Sequence, residues 1–302
     1  MRNIEIIFEK MYPIVKLSLS KVTDNKGNIP KTGRKPKFSD VNLITLCLSA
    51  EFLSIDSENR LFDLISNSHF FKARSLIERT SFSRRRRKLY PFMNIVLEFL
   101  SKELAPDEDT LIVDSMPVEV CRFARARRAK ICKDSYETAP DFGYCASQRT
   151  TFYGYKLHAL CDINGVFRKV DLSKGSLADI HYLQDVRSFL SDCTILGDKG
   201  YLSKDVQQDL FQTNRIKLYT PKRSNQPDYH KYPAVFRRLR KRIETLFSQL
   251  CDQFMIKRNY AKSFSGVATR MMSKIVSLTV AQYFNKFVNN KPMNEIKYAF
   301  SY

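Results

Sequence analysis

The sequence predicts an α/β fold, a mixed sheet with flanking helices, preceded by an all-helical segment. Three observations carry this. Residues 1 to about 105 hold helical periods and N-cap residues but few strand-like runs. From about 108 the texture changes to strand, turn, strand, with β-branched and aromatic residues gathered in short runs. After about 178, strands alternate with helical stretches, as in a sheet whose strands are joined by crossover helices.

In the helical segment, Ser39-Asp40 reads as an N-cap ahead of a helix over 41–50, and Asp56-Ser57 caps a helix running through Ile65. The stretch 25–36 before them is a basic Gly/Pro linker without helical period. After Phe70 a short helix through Glu78 leads to Thr80-Ser-Phe-Ser83 and then to Arg84, Arg85, Arg86, Arg87 and Lys88. Helix, polar turn and basic helix together form the outline of a helix-turn-helix; the competing reading is a solvated basic face. Pro91 kinks or restarts the helix that follows.

The run 111–113 is apolar and ends at Asp114, the mark of a buried strand. A second strand covers 150–161, Asp162-Ile-Asn-Gly165 supplies an Asn-Gly hairpin turn, and 166–172 alternates after it. A helix over about 178–190, a strand over 193–196, a helix over 203–211 and a strand over 215–219 follow. A polar loop with Pro221, Pro227 and Pro233 precedes a long helix over about 234–254. The stretch 267–287 carries apolar residues at 267, 271, 275, 278 and 280, a stripe expected to pack on the sheet. The expected domains are a helical region over 1–105, an α/β domain over 106–290, and a tail over 291–302.

Lys and Arg number 51 against 31 Asp and Glu, a formal charge of +20, which favours a polyanionic partner through counterion release. Membrane surfaces and RNA compete with DNA on charge alone. A hydrophobic content of 43% is enough for a core and argues against wholesale disorder. The most apolar long stretch, 267–288, is interrupted by Arg270, Lys274, Gln282 and Lys286, so no transmembrane segment is expected. Arg2, Glu5 and Glu9 make the N-terminus unlike a signal peptide, and a cytoplasmic location is expected. The seven cysteines form no CxxC pair and read as free thiols; Cys121, Cys132 and Cys145 with His158 lack the spacing of common zinc fingers.

Three carboxylates stand out: Asp114 after the first strand, Asp198 after the fourth in Gly197-Asp-Lys-Gly200, and Glu244 on the long helix among Arg and Lys. Two strand ends and one helix can deliver three acids to one place, where they would hold divalent metal against a phosphodiester. Two Mg2+ ions about 3.5–4 Å apart, with Mn2+ as the alternative, would stabilise attacking and leaving oxygens. In that scheme Asp114 bridges both ions while Asp198 and Glu244 hold one each. Asp179, which opens a helix in Ala178-Asp-Ile-His181, reads as an acid favoured by the helix dipole, with a supporting role beside the metals as the alternative. Asp162 reads as a turn residue, His158 as packed or phosphate-facing, and Glu119 is left out of the triad. Arg125 and Arg128, in the basic stretch after Asp114, are candidates for tracking nucleic-acid backbone, as are Lys156 and Arg240.

The chain resembles a DDE transposase of a bacterial insertion sequence, most similar to the group named after insertion sequence nine-eighty-two. The resemblance runs through Val113-Asp-Ser-Met-Pro-Val118 with Cys121, Arg125 and Arg128, then Phe142-Gly-Tyr144, Phe152-Tyr-Gly-Tyr-Lys-Leu-His158 and Ala178-Asp-Ile-His181. It continues in Gly197-Asp-Lys-Gly-Tyr201, Thr220-Pro-Lys-Arg223 with Asn225, and Ile243-Glu-Thr-Leu-Phe-Ser-Gln-Leu250. It covers about 108–285 closely and the helical part loosely. It implies an RNase H-like catalytic domain, a Mg2+-dependent triad at Asp114, Asp198 and Glu244, and DNA transposition.

It further implies binding of terminal inverted repeats, through the helical region with Arg84, Arg85, Arg86 and Arg87, and strand transfer into target DNA. A homodimer or larger assembly on DNA and a nucleoid-associated location in the cytoplasm go with it. The chain departs from the Tyr-x2-Arg-x3-Glu-x6-Lys signature of a related group: Arg240 and Glu244 fit, but Arg237 and Cys251 stand at the Tyr and Lys positions. An RNase H-like nuclease without strand transfer, and an inactive DNA-binding remnant of a mobile element, are the alternative functions.

Overall fold

A computed structural model describes residues 3–223, 225, 229 and 231–300. By backbone contacts the chain forms two compact units: Met1–Leu104 together with Gln249–Tyr302, and Ala105–Ser248. Of the loop prolines, Pro227 lies outside the described residues.

The first unit is helical: α1 (Ile4–Ser18), α2 (Asp40–Phe52), α3 (Glu58–Ile65), α4 (His69–Ala73), α5 (Arg79–Lys88) and α6 (Tyr90–Leu104). The expected caps are in place, because Ser39 Oγ accepts from the Asn42 amide and Ser57 Oγ from the Arg60 amide. Helix α2 is buried on nearly all sides, consistent with its run of apolar residues. The basic helix begins earlier than expected. The turn falls before Arg79, and Thr80-Ser-Phe-Ser83 lies inside α5 rather than forming a connection. Phe82 explains the shift: it is fully buried against Phe62 of α3, ring centroids 5.4 Å apart, and a helical register puts Arg86 on the same inward face. Pro91 stands in the first turn of α6, where its missing N–H costs nothing.

Helix α10 (Phe264–Phe287; α7 to α9 belong to the second unit) corrects one expectation. Its apolar stripe packs chiefly on α2 and α6, not on the sheet. Residues 249–290 therefore cluster with the N-terminal helices rather than with the α/β unit.

The second unit holds a six-stranded mixed sheet: β1 (Thr110–Glu119), β2 (Asp141–Cys145), β3 (Thr150–Asp162), β4 (Phe167–Lys174), β5 (Thr194–Leu196) and β6 (Lys217–Tyr219). The strand order is β2-β3-β1-β5-β6, with β4 also paired to β3. β1 is antiparallel to β3 and parallel to β5, which is parallel to β6. The Asn-Gly turn forms as expected: Asp162 Oδ1 accepts from the Asn164 and Val166 amides, and Gly165 takes φ 87°. β2 carried no strand signal, since its five residues include Gly143 and a weak alternation.

The helices are α7 (Tyr182–Val186), α8 (Lys204–Asn214) and α9 (Ala234–Asp252), the last of which belongs to this unit only as far as Ser248. α7 is shorter than the expected 178–190, being preceded by a 3-10 turn, Asp179–His181, and followed by i→i−3 closure from Ser188 to Asp185. Leu111, Val113 and Ile195 face α7 and α8 in a core with Tyr182, Leu183 and Leu210. With helices flanking this mixed sheet, the unit has an α/β RNase H-like fold. Among the described residues no helix is long and apolar enough to cross a membrane.

Candidate active site at the sheet end

β1 and β5 run parallel, and their last paired residues are Ile112 and Leu196. Asp114 and Asp198 each lie two residues beyond that pair, Asp114 still within β1 and Asp198 past the end of β5, and the charge of Asp198 is felt at Asp114. Neighbouring parallel strands sit about 4.8 Å apart, and the carboxyl ends of such strands are where open α/β sheets hold ligands. Alternation along β1 separates two faces. Val113 and Ser115 point to the side of α7, whereas Ile112 and Asp114 point to the other. On that other side the arginines of α9 are felt: Arg240 by Asp114, and Arg242 by Cys161, the cross-strand partner of Ile112.

Asp114 is a poorly compensated carboxylate. Burial, together with the charges of Asp198 and Asp179, pushes it up to about 7, against the opposing pull of the Ser115 amide and Arg240. The Ser115 amide donates to Asp114 Oδ1 at 2.8 Å. Asp198 is held by its own turn: it caps the short 3-10 segment Lys199–Tyr201, and the Gly200 amide donates to Oδ1 at 2.7 Å. A Cβ at residue 200 would stand 2.9 Å from that oxygen, so glycine there keeps the carboxylate in place.

Asp179 belongs to the same place. Its Oδ2 would lie 3.5 Å from that same Cβ, its Oδ1 accepts from Ser115 Oγ at 2.8 Å, and Lys156 Nζ stands 3.1 Å away. Lys156 also donates to the Leu177 carbonyl. The helix-dipole reading missed this pairing, because nothing local in Ala178-Asp-Ile-His181 reports Ser115 or Lys156. Tyr201 is buried beside all three aspartates, which together with burial raise its hydroxyl well above the ordinary range. His158 is buried, stacks on Tyr182 and shares a 2.7 Å hydrogen bond with Ser173 Oγ; burial lowers it to about 4, so the ring is neutral near pH 7.

Glu244 is exposed on α9, one turn after Arg240 and hence on the same side of the helix. Among the described residues no three Asp, Glu, His or Cys side chains are gathered as metal ligands. The Asp114–Asp198 pair by itself suits a divalent cation: Mg2+ takes one or two carboxylates and completes its shell with water and phosphate. The uncompensated charge at Asp114 is what such a cation would relieve.

The basic candidates are scattered in character. Arg125 and Arg128 are exposed on a 3-10 turn after β1, Phe123–Arg128. Arg240 is half-buried, its Nε without a hydrogen-bond partner among the described residues. On α5, Arg84 and Arg87 are exposed, whereas Arg85 pairs with Asp40 at 2.5 Å and Arg86 with Glu51 at 2.7 Å.

Asp114 and Asp198 are thus a candidate pair of oxygen donors for a divalent cation. The Transposase DDE domain model matches residues 105–280, and the chain belongs to that family. No curated protein and no solved structure matches it.

Proposed function

We propose that this family member is the transposase of an insertion sequence of the nine-eighty-two group. In this reading it binds the element's terminal inverted repeats, hydrolyses a phosphodiester to free a 3′-hydroxyl, and drives that hydroxyl into target DNA. The observation that supports it most is that the charge of Asp198 is felt at Asp114, whose carboxyl is raised by burial and by the neighbouring aspartates.

Asp114 and Asp198 would hold Mg2+ or Mn2+, and Glu244 would join them from α9 once metal and DNA are present. Bound metal supplies Lewis-acid polarisation of the phosphodiester and a lowered pKa for the attacking water. The chain's own groups do the rest. Asp179 fixes Ser115 and Lys156 at the sheet end, so the Lys156 ammonium is held at the edge of the site. Arg240 sets a positive charge near Asp114, where it would orient a non-bridging phosphate oxygen. Arg125 and Arg128 are exposed and free to follow the backbone of the cleaved end. Two element ends need joint handling, so a homodimer or larger assembly on DNA is part of the reading, as is a cytoplasmic, nucleoid-associated location.

The test incubates the protein with Mg2+, labelled element-end DNA and a target plasmid. Labelled plasmid is the expected product. Cut ends without joining would make the protein a nuclease, and neither product would make this copy an inactive remnant.

A further inference from the structure

In the first unit a carboxylate is surrounded by more positive charge than it can neutralise. Glu51 of α2 is 1% exposed and is met by Arg86 at 2.7 Å, Lys274 at 2.5 Å and Arg270 Nε at 3.8 Å. Glu58, 3.8 Å from Arg86, and Asp56, whose charge is felt at Arg270, are the other acids nearby. Three buried cations thus share one close carboxylate, with Glu58 at the margin of ion-pair distance. An uncompensated buried charge is costly unless something outside the protein matches it.

Arg86 and Arg270, both more than nine-tenths buried, line a cleft of about 730 Å³, and their Nε atoms have no hydrogen-bond partner among the described residues. Exposed Arg79, Arg87 and Lys262 stand at its rim. Asp56 and Glu58 also border it, so the lining is mixed but positive on balance. The first turn of α10 opens into the same cleft: Ser263 caps it by accepting from the Gly266 amide, and no acid occupies that turn. A 24-residue helix presents the positive end of its dipole there. A second cleft, about 470 Å³, shares Arg87 and adds Arg84, Arg85, Lys88 and Ser265. Arg87 therefore stands between two adjoining basic clefts. At about 1.5 Å per residue the ten-residue α5 is about 15 Å long, enough to pass about four phosphates at about 3.4 Å of axial advance each.

We propose that the two clefts flanking Arg87 form one groove that grips the phosphates of duplex DNA through Arg79, Arg84, Arg87, Lys88 and Lys262. Arg85 and Arg86 take no direct part; they are held by Asp40 and Glu51 and shape the groove from within. The groove holds DNA by its backbone and carries no base preference of its own. This rests on the DNA-transposase reading and names where the helical unit meets its substrate.

The test uses full-length protein and a fluorescent duplex of unrelated sequence, followed by anisotropy across a salt series. Arg79→Ala, Arg87→Ala and Lys262→Ala together are expected to weaken binding at least tenfold. They should also flatten the log affinity against log salt slope by about 2–3, near 0.9 for each phosphate no longer neutralised. A triple variant that removes equal charge elsewhere on the unit, Lys16→Ala, Lys21→Ala and Lys72→Ala, is expected to change binding less than threefold. All six residues are exposed, and unchanged melting temperatures confirm that both variants fold. Equal losses from both variants, or no loss from the first, overturn the groove. Tighter binding of RNA than of duplex overturns the choice of DNA. Cleavage and joining are read separately, so a binding-competent protein that never joins strands would defeat the transposase reading while leaving the groove standing.

Discussion

Glu51 is a buried carboxylate and Asp114 a half-buried one, and their surroundings differ in the charges they hold. Burial raises the Glu51 value, yet Lys274, Arg86 and Arg270 overcome it and hold the group at about 2. Burial raises Asp114 too, the charges of Asp198 and Asp179 add to it, and the Ser115 amide and Arg240 oppose them without prevailing, so it rises to about 7. The first carries its counter-charges within the fold, so its work is structural. The second has fewer of them, the condition under which a bound cation would be favoured. Strongly perturbed acids of that second kind are what functional sites collect.

The contrast is broken most directly by removing each carboxylate. Asp114→Asn and Asp198→Asn are expected to reduce cleavage of element-end DNA to background while DNA affinity stays within about threefold, as read by gel assay and anisotropy. Retained cleavage by either variant would remove that aspartate from the site. Glu51→Gln should act on the fold instead, because it strands three cations; a loss of about 3–5 kcal/mol in denaturant unfolding is expected. A stable Glu51→Gln protein would mean that the cluster is solvated and the contrast false.

pH separates the two groups without mutation. Glu51 has a folded value below its ordinary 4.5, so its stabilisation is complete above about 4.5 and is lost as pH falls toward about 2. Acid unfolding in that window is expected for the wild type. Asp114 has the opposite sign. Its folded value exceeds the ordinary 3.8, so ionising it costs stability as pH rises from about 4 to about 7. Metal-free Asp114→Asn should therefore be more stable than wild type at pH 8, by up to about 4 kcal/mol, and show little gain at pH 4. The smallest expected effect is from Asp179→Asn. It weakens the hold on Lys156 and should lower the cleavage rate about tenfold with little change in melting temperature. Rescue by Asp179→Glu would tie the effect to the charge.

Much of this was legible along the chain. Ser39, Ser57 and the Asn164-Gly165 turn act within four residues of themselves, and local hydrogen bonding settles them wherever the chain goes. The apolar run before Asp198 announced a strand with an acid just past its end, whereas Asp114, expected after the first strand, stands inside β1, five residues before its last residue. The partnerships were not legible. Asp179 meets Ser115 and Lys156 across intervals of 64 and 23 residues, and Glu51 meets Lys274 across 223. The basic run 84–87 looked uniform, yet the buried ring of Phe82 turned Arg86 inward and left Arg84 and Arg87 exposed. The stripe of α10 likewise reported that it would be buried but not by what; α2 and α6 took it.

The sequence alone determined the order of helices and strands apart from β2, the basic character and the candidate acids, because periodicity, caps and turns are short-range properties. Tertiary structure decided which acid has a counter-charge, which arginines face outward, and which helix covers which surface. Those depend on desolvation and on charges far apart in the chain, and only folding brings them together.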